Sequence, residues 1–284
     1  MKIAIFGATG FIGKELLAKC QEKHWEIVAL DIRRDADWVQ KMKDCDAVVN
    51  LGGHPLFQNR WNDRIKGLIY DSRVSGTHSI VAALKDSKVK VLVNASAIGI
   101  YGSGEQNVDE TSRAADDFLA RLCKAWEEEA LAAQRLYKVR TVVVRFGVVL
   151  GKGGGALEKL LPPFKLGIGG PIGSGKQSMS WIHVDDVVGI LLHALENEKV
   201  SGILNATAPN IVSNKEFSKT LGKVLHRPAV APLPKAMLYL LVGEAAGIIA
   251  SGQRVHPTIT QQSGYTFKFP EIEIALTDIM QKGT

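Results

Sequence analysis

The sequence predicts an α/β fold, a doubly wound parallel sheet with a smaller mixed C-terminal lobe. The chain opens with an apolar run, Ile3 to Phe6, that is too short for a helix and ends at a glycine. Such a run is typical of a buried parallel strand. Strands of this kind then alternate with helical segments as far as Phe146, which indicates repeated β-α-β units with right-handed crossovers. Beyond Gly151 glycine and proline become frequent and the alternation ends.

The elements follow from apolar runs and helical composition. The predicted strands are 3–6, 26–30, 46–50, 89–93, 140–146 and 179–182, and the predicted helices are 11–23, 62–85, 118–137 and 184–196. Only 14 residues separate Asp31 from Asp46, so we expect an edge strand of the sheet to be missing or vestigial.

The second half of the chain is predicted to leave the sheet and return to it. Gly151 to Gly155 is interpreted as a flexible connector, Pro162-Pro163 as part of further turns, and Leu238 to Ala250 as a buried or partner-facing helix. We predict a dinucleotide-binding domain at 1–155, with its sheet completed by about 180–207. The second lobe, 156–179 with 208–284, is predicted to close over the cleft and supply the substrate pocket.

Three glycines follow the first strand and lead into the first helix. Gly7 permits a tight turn out of the strand, Gly10 has no Cβ to block a phosphate, and Gly13 lets the helix pack closely on the sheet. Backbone N–H groups at a helix N-terminus favour an anion. The motif therefore predicts a Rossmann-like site for a dinucleotide, and its intervening residues Thr9, Phe11 and Ile12 are included in that site.

The ends of the neighbouring strands add further cofactor-binding candidates. Asp31 lies 18 residues beyond Gly13, where a carboxylate that binds the ribose 2′-hydroxyl is expected. Arg33 follows closely and has the chemistry to bind a 2′-phosphate, so the preference between NAD(H) and NADP(H) stays undecided. Leu51 and Gly52 come directly after the third strand, at the edge of the sheet where ligands bind.

Composition limits the other functions. The 284 residues carry a net charge of +6 without a run of five like charges, so nucleic acid is not expected as a partner. The apolar stretch from Leu238 is interrupted by Glu244 and is too short to span a bilayer, so a membrane is not expected as a partner either. Three widely spaced cysteines and a chain that opens directly in a strand favour a reducing cytoplasm without a signal peptide. No histidine or cysteine pattern predicts a metal site. A homodimer is possible.

One glycine-rich segment imitates a phosphate loop. Gly170 to Lys176 has the spacing G-x-x-x-x-G-K, but Gln177 stands where the magnesium-binding Ser or Thr belongs. No strand precedes the segment and no helix follows it, so we interpret it as a hairpin that lines a pocket. His183-Val184-Asp185-Asp186 is interpreted as the start of a helix, with an acid near the helix dipole.

The motifs together resemble the extended short-chain dehydrogenase/reductase superfamily. Residues 73–77 stand where the superfamily has N-V-x-G-T, with Arg73 in place of the asparagine, and 95–102 resemble its S-S-S-A-x-V-Y-G. Residues 145–151 resemble its R-x-x-N-V-Y-G, and 173–186 resemble its pocket motif. Further motifs resemble its atypical nucleoside-diphosphate-sugar epimerase-like subgroup, also called SulA-like. The resemblance implies an NAD(P)-binding protein, and it adds Arg73 and Val149 to the cofactor-binding residues.

The chain differs from this superfamily at the positions of its catalytic residues. By this resemblance, Leu119 stands where the superfamily has its proton-donating tyrosine, and Cys123 stands where it has the lysine partner. Met179 stands where it often has an arginine that binds a sugar diphosphate. A positioned acid or base contributes about 10²–10⁴ in rate. The remaining candidates for a catalytic role are Tyr101, Ser96 and Glu127.

Two functions therefore remain open. The first is an oxidoreductase that uses NAD(P)(H) on a small substrate, because the pocket motif and the closing lobe are retained. The second is a non-catalytic dinucleotide-binding sensor or interaction protein, because the Tyr/Lys pair is absent. Whether the chain is an enzyme is not decided by its residues.

Overall fold

The structure of the protein is a computed structural model, and it describes residues 1–56 and 60–281. The strands are β1 (Lys2–Phe6), β2 (Glu26–Leu30), β3 (Ala47–Asn50), β4 (Val91–Ala97), β5 (Asn107–Val108), β6 (Arg140–Phe146), β7 (Val148–Gly151), β8 (Ser178–Met179), β9 (Trp181–His183), β10 (Gly202–Ala206), β11 (Val212–Ser213) and β12 (Arg254–Val255).

The helices alternate with the strands through the first half of the chain. They are α1 (Phe11–Glu22), α2 (Trp38–Lys43), α3 (Asp63–Ala83), α4 (Phe118–Tyr137), α5 (Gly155–Lys165), α6 (Val184–Glu196), α7 (Asn214–Leu225), α8 (Lys235–Val242), α9 (Ala246–Ala250), α10 (Thr258–Gln262) and α11 (Ile272–Gln281). Short 3₁₀ turns cover Ile98–Tyr101 and Gly243–Ala245.

Six parallel strands form the main sheet in the order β10-β6-β4-β3-β1-β2. β2 is the edge strand, and only the six-residue α2 separates it from β3. The prediction that an edge strand is missing is thus confirmed for the described chain. Because β2 and β3 flank β1 on opposite sides, a crevice opens at the carboxyl end of β1, where doubly wound sheets bind their ligands.

Both faces of the sheet are covered by helices. Ile3 and Ile5 of β1 pack with residues of α1 and α6, whereas Ala4 and Phe6 pack on the opposite face with residues of α3 and α4. Burial on both faces explains why β1 and β3 are continuous apolar runs rather than alternating ones. The predicted fold class, a Rossmann-like doubly wound sheet, is confirmed.

The lobe beyond the sheet has a core of its own. Leu157 of α5, Phe217 of α7 and Leu276 of α11 are buried in it together with Trp181. Among the described residues, no helix combines the length and the apolar character needed to cross a membrane.

Three local predictions for this half are wrong. Pro162 and Pro163 lie inside α5 rather than in a turn. The apolar stretch after Leu238 is two short helices, because Gly243 with a φ of +65° ends α8. The glycines of the connector allow close packing rather than flexibility, since a Cβ on Gly154 would lie 2.5 Å from the ring of Phe11.

Candidate cofactor-binding site

The glycine loop has the geometry of an anion cradle. Gly7 has a φ of +78°, and a Cβ there would lie 2.7 Å from the backbone of Leu51. A Cβ on Gly13 would lie 2.2 Å from the carbonyl oxygen of Gly7, so this glycine is required for α1 to approach the sheet. A Cβ on Gly10 would meet only that same oxygen, at 3.2 Å. The space beside Gly10, at the N-terminus of α1, is therefore open for a ligand.

The residues between the glycines have different positions. Thr9 is exposed beside the open space, whereas Ile12 packs against the core beneath the sheet. Phe11 packs on Gly151, Gly154 and Gly155 and so fixes the connector after β7. Val149 of β7 is half-buried beside this contact.

The carboxyl end of β2 combines an acid with two arginines. Asp31 accepts a hydrogen bond from the backbone N–H of Arg33 at 2.9 Å, and its own N–H donates to Asp35 at 2.6 Å. The Nε atoms of Arg33 and Arg34 lie 3.8 Å from its two carboxylate oxygens. Both arginine side chains are at least 80% exposed, so these ion pairs contribute little to stability and both guanidinium groups are accessible to a phosphate.

A buried amide holds the turn after β3. The Nδ2 of Asn50 donates to Thr77 at 2.9 Å and to Asn94 at 2.7 Å, and its Oδ1 accepts from the N–H of Gly52 at 3.1 Å. This keeps Leu51 and Gly52 beside the glycine loop, as their place at the end of a strand predicts.

Arg73 projects from α3 over the same turn. Its NH1 donates to the carbonyl oxygens of His54 at 3.0 Å and Ile69 at 3.3 Å, and its Cζ lies 5.3 Å from the ring centroid of Trp126. Burial lowers the pKa of this guanidinium to about 10, so it stays charged at neutral pH. Within 1–56 and 60–281, no carboxylate lies within 4.0 Å of it.

The two positions of the absent Tyr/Lys pair lie on α4. Leu119 packs in an apolar cluster, and its Cβ would lie 3.3 Å from a Cβ on Gly99. Cys123 is 2% exposed, and burial together with the charge of Glu127 raises the pKa of its thiol to about 12. Neither residue provides an ionised or proton-donating group at neutral pH.

The three catalytic candidates meet in one buried network, to which Arg145 of β6 is central. Its Nε and NH2 donate to the two oxygens of Glu127 at 2.8 and 2.7 Å. Ser96 donates to the same carboxylate at 2.5 Å, and the NH1 of Arg145 donates to the hydroxyl of Tyr101 at 2.7 Å. Burial alone would lower the pKa of Arg145, but the hydrogen bonds and charge of Glu127 outweigh it and raise that pKa.

The hydroxyl of Tyr101 both donates and accepts a hydrogen bond within this network. Its hydroxyl donates to Asn205 at 2.8 Å while it accepts from Arg145. Burial raises its pKa to about 12, although the nearby Arg145 acts in the opposite direction. Catalytic roles for Tyr101, Ser96 and Glu127 stay predictions, and the contacts of all three join β4, α4, β6 and β10.

The sequence did not single out Arg145 or Asn205 as members of this network. Asn205 lies 104 residues from Tyr101, so no spacing rule connects the two. Arg145 does open one of the family motifs, which was the available signal.

An arginine lies close to the position where the diphosphate-binding arginine is absent. Met179 packs on the apolar core of the lobe, whereas Arg254 donates from NH1 to the hydroxyl of Ser178 at 3.2 Å. Arg254 also lines a cavity of 280 Å³ with Tyr101, Glu105 and Gln253. The phosphate-loop imitation, 170–176, lies against α7 and beside 231–233, and the strand that follows it, β8, pairs with β11. The segment therefore does not form the predicted hairpin.

One group of potential metal ligands occurs in the part of the chain that the structure covers. His183, Asp185 and Asp278 bring ligand atoms within 4.8 Å of one another. His183 caps α6 by accepting the N–H of Asp185 at its Nδ1, and Lys268 forms an ion pair with Asp185 at 3.0 Å. Asp185 and Asp186 lie in the first turn of α6, as predicted. The prediction that the chain has no metal site is not tested by this arrangement.

Comparisons with known proteins agree with this geometry. The model of the NAD dependent epimerase/dehydratase family matches residues 3–206, and a domain of unknown function, DUF1731, matches 233–279. An Arabidopsis thaliana chloroplastic homolog of the epimerase family protein SDR39U1 is 39% identical over 99% of this chain and 87% of its own length. The epimerase family protein YfhF of Bacillus subtilis is 36% identical over 99% of this chain and 98% of its own.

Solved structures extend the comparison. The crystal structure of human epimerase family protein SDR39U1 (isoform 2) with NADPH has a TM-score of 0.92 and 37% identity, covering 99% of both chains. UDP-glucuronic acid 4-epimerase from Bacillus cereus, in complex with NAD, shares the fold with a TM-score of 0.80, 17% identity and 99% and 97% coverage. The chain belongs to the NAD dependent epimerase/dehydratase family, as an atypical short-chain dehydrogenase/reductase similar to the SDR39U1 proteins.

Proposed function

We propose that this protein binds NAD(P)(H) in the crevice at the carboxyl end of β1 and oxidises or reduces a small substrate there. The observation that carries the proposal is the open space beside Gly10, at the N-terminus of α1, between Gly7 and the turn of Leu51 and Gly52. Such a site accepts a pyrophosphate without a side-chain partner. The NADPH in the human relative supports the same assignment.

Asp31 and Arg33 are the proposed ribose-binding groups, with Arg34 beside them. Asp31 accepts hydrogen bonds from a free 2′-hydroxyl, and the exposed guanidinium groups bind a 2′-phosphate. We therefore propose that both cofactors bind, with a ratio of affinities below about a thousandfold, which corresponds to about 4 kcal/mol. A larger ratio would show that one of the two signals dominates.

Arg73 is proposed to supply the positive charge that the missing lysine would bring. It lies close enough to Cys123, at the lysine position, for the two groups to influence each other's pKa. Its planar guanidinium offers donors beyond the NH1 that the backbone occupies. We assign these donors to an anionic or hydroxyl group of the cofactor.

Calorimetric titration with NADPH and NADH tests the cofactor site. Gly10→Asp places both volume and negative charge in the open space and is expected to abolish binding. Gly67→Asp, on the outer part of α3 where a Cβ meets nothing within 4 Å, is the matched control and should bind as wild type does. Equal binding by Gly10→Asp and wild type would refute the assignment.

A second function, a dinucleotide-binding sensor without catalysis, is favoured by the hydrogen bonds that engage Tyr101, Ser96 and Glu127 with one another and with Arg145 and Asn205. Small carbonyl compounds with NAD(P)H, and common UDP-sugars, distinguish the two. Turnover supports the oxidoreductase. Tight cofactor binding without turnover supports the sensor.

The two-domain division at 155, a cytoplasmic location and a homodimer also remain proposals.

A further inference from the structure

Five large apolar side chains of the C-terminal lobe are exposed. They are Leu166, Ile168, Val230, Met237 and Leu240, and each is between 51% and 80% exposed. Single exposed apolar residues are ordinary on a protein surface, but a contiguous group marks an interaction site. These five come from only two segments, 165–173 and 227–240.

The two segments run side by side, which brings the chain at Leu166 and Ile168 next to the chain at Val230. The N–H of Ala231 donates to the carbonyl oxygen of Gly169 at 3.3 Å, and the N–H of Leu233 donates to that of Pro171 at 2.9 Å. Further along, the N–H of Gly173 donates to Leu233 at 2.8 Å. α8 begins two residues later and carries Met237 and Leu240 one helical turn apart.

The two segments and the residues that flank them are depleted of acid. No Asp or Glu occurs in 159–184 or in 217–243, whereas these stretches hold seven of the 35 Lys and Arg residues. The rest of the chain, 35 less seven, has 28 basic against 29 acidic residues. The net positive charge of the protein is therefore concentrated in this part of the lobe.

Three of these cations border the apolar residues. Arg227 donates from Nε to the carbonyl oxygen of Lys165 at 3.2 Å, and the side chain of Lys235 lies 3.0 Å from a Cβ placed on Gly173. None of the three forms an ion pair with a carboxylate of the described residues. By contrast, Lys223 is paired with Glu273 of α11 at 2.5 Å, and so we leave it out of the surface.

We propose that this surface, which we call the basic apolar face, adsorbs to an anionic lipid membrane. Protein–protein interfaces are depleted of lysine. Membrane-surface segments instead combine exposed leucine-type side chains with Lys and Arg only, which is the composition found here. The apolar side chains would enter the headgroup boundary while Lys165, Arg227 and Lys235 contact anionic headgroups. This revises the expectation from the sequence that the chain has no membrane partner, without requiring a membrane-spanning helix.

Flotation of the purified full-length chain with vesicles tests the proposal. Vesicles of phosphatidylcholine alone are compared with vesicles that also contain phosphatidylglycerol. We expect binding to the anionic vesicles, weaker binding at high salt, and little binding to the neutral ones. Each basic residue near an anionic surface is worth about fivefold in partitioning.

Two variants locate the contact. Replacing Lys165, Arg227 and Lys235 by Gln should lower partitioning about 100-fold, and Val230→Ser with Leu240→Ser should abolish flotation. The matched control for the apolar change is Leu136→Ser on α4, which is 64% exposed away from this face. A control for the charge change replaces the exposed Lys124, Lys138 and Lys199 by Gln. Cooperative thermal unfolding of every variant shows that it is folded.

Several results would overturn the proposal. One is the absence of flotation by folded wild-type protein, another is equal binding to neutral and anionic vesicles, and a third is equal loss in the control variants. Self-association that the Val230/Leu240 variant abolishes, without vesicle binding, would assign the face to a second copy of the chain. Binding to polyglutamate but not to vesicles would assign it to an acidic protein.

Discussion

Replacing Glu127 by Ala should destabilise this protein more than most single substitutions. The side chains of Glu127 and Arg145 are each 6% exposed. Removal of the carboxylate leaves the guanidinium buried with only the hydroxyl of Tyr101 as a described side-chain partner. Breaking a buried ion pair in this way costs about 3–5 kcal/mol. For a chain of this length, that loss corresponds to a fall in melting temperature of roughly 6–10 °C.

The three hydrogen bonds to Glu127 explain the size of the effect. Two are charge-assisted bonds from Arg145 and one comes from Ser96, and hydrogen bonds to charged groups are each worth about 1.5–3 kcal/mol. Part of this loss of free energy is offset, because the carboxylate no longer needs to be desolvated on folding. The double variant Glu127→Leu with Arg145→Met removes both charges together and should therefore recover most of the loss.

Urea unfolding at neutral pH measures the free energy of unfolding of the wild type, both single variants and the double variant. NADPH affinity is measured in parallel, with Glu127→Gln as the variant that keeps the shape. Retained cofactor affinity with large destabilisation is the expected result. A Glu127→Ala protein within about 1 kcal/mol of wild type would refute the structural role, because that is the size of an ordinary substitution. Loss of turnover at unchanged stability would then place Glu127 in the chemistry.

Three further outcomes are expected. Arg73→Met should weaken NADPH binding at least tenfold by calorimetry, whereas the neighbouring exposed Arg64→Met should not. Gly67→Ala should raise the free energy of unfolding by about 0.5–1 kcal/mol, because this glycine lies inside α3 with open space around it. Burial raises the pKa of the three cysteine thiols to about 11 or 12 from 9.0; the folded state therefore binds more protons than the unfolded state above pH 9. The free energy of unfolding should therefore be unaffected by the thiols below pH 9 and should fall as the pH rises towards 12. The thiols should not react with Ellman's reagent at pH 8 until urea unfolds the protein.

The backbone of the fold was largely accessible from the sequence. α4, α6 and β6 have the predicted bounds, because strong helical composition and a continuous apolar run each determine the local structure without help from distant residues. Where distant residues decide, the prediction fails. The glycines of 151–155 resemble a flexible linker until Phe11, more than 130 residues earlier, is seen to pack on them.

The candidate site also has a part that local sequence predicts and a part that depends on distant residues. Gly7, Gly10 and Gly13 act within one turn, so their spacing predicts their geometry. The network of Ser96, Tyr101 and Glu127 depends on Arg145 and Asn205, whose contacts cross three strands of the sheet and one helix. The sequence therefore suggested polar residues of the right type, but it could not show that they are already engaged with one another.

The proposed role of Arg73 as the cation of the crevice, in place of a lysine, has a chemical consequence. A lysine there can exchange a proton as well as lower the pKa of a neighbouring tyrosine, whereas arginine is a fixed charge that exchanges no proton at neutral pH. Even with its pKa lowered to about 10, Arg73 keeps its proton at pH 7, and Tyr101 at about 12 does not release its own. Arg73 therefore supplies the proposed crevice with a fixed cation for an anion, and neither Arg73 nor Tyr101 changes its protonation state near neutral pH. We therefore expect the proposed hydride transfer to take its proton from water rather than from Tyr101, which predicts a rate that follows solvent access to the crevice rather than the titration of Tyr101.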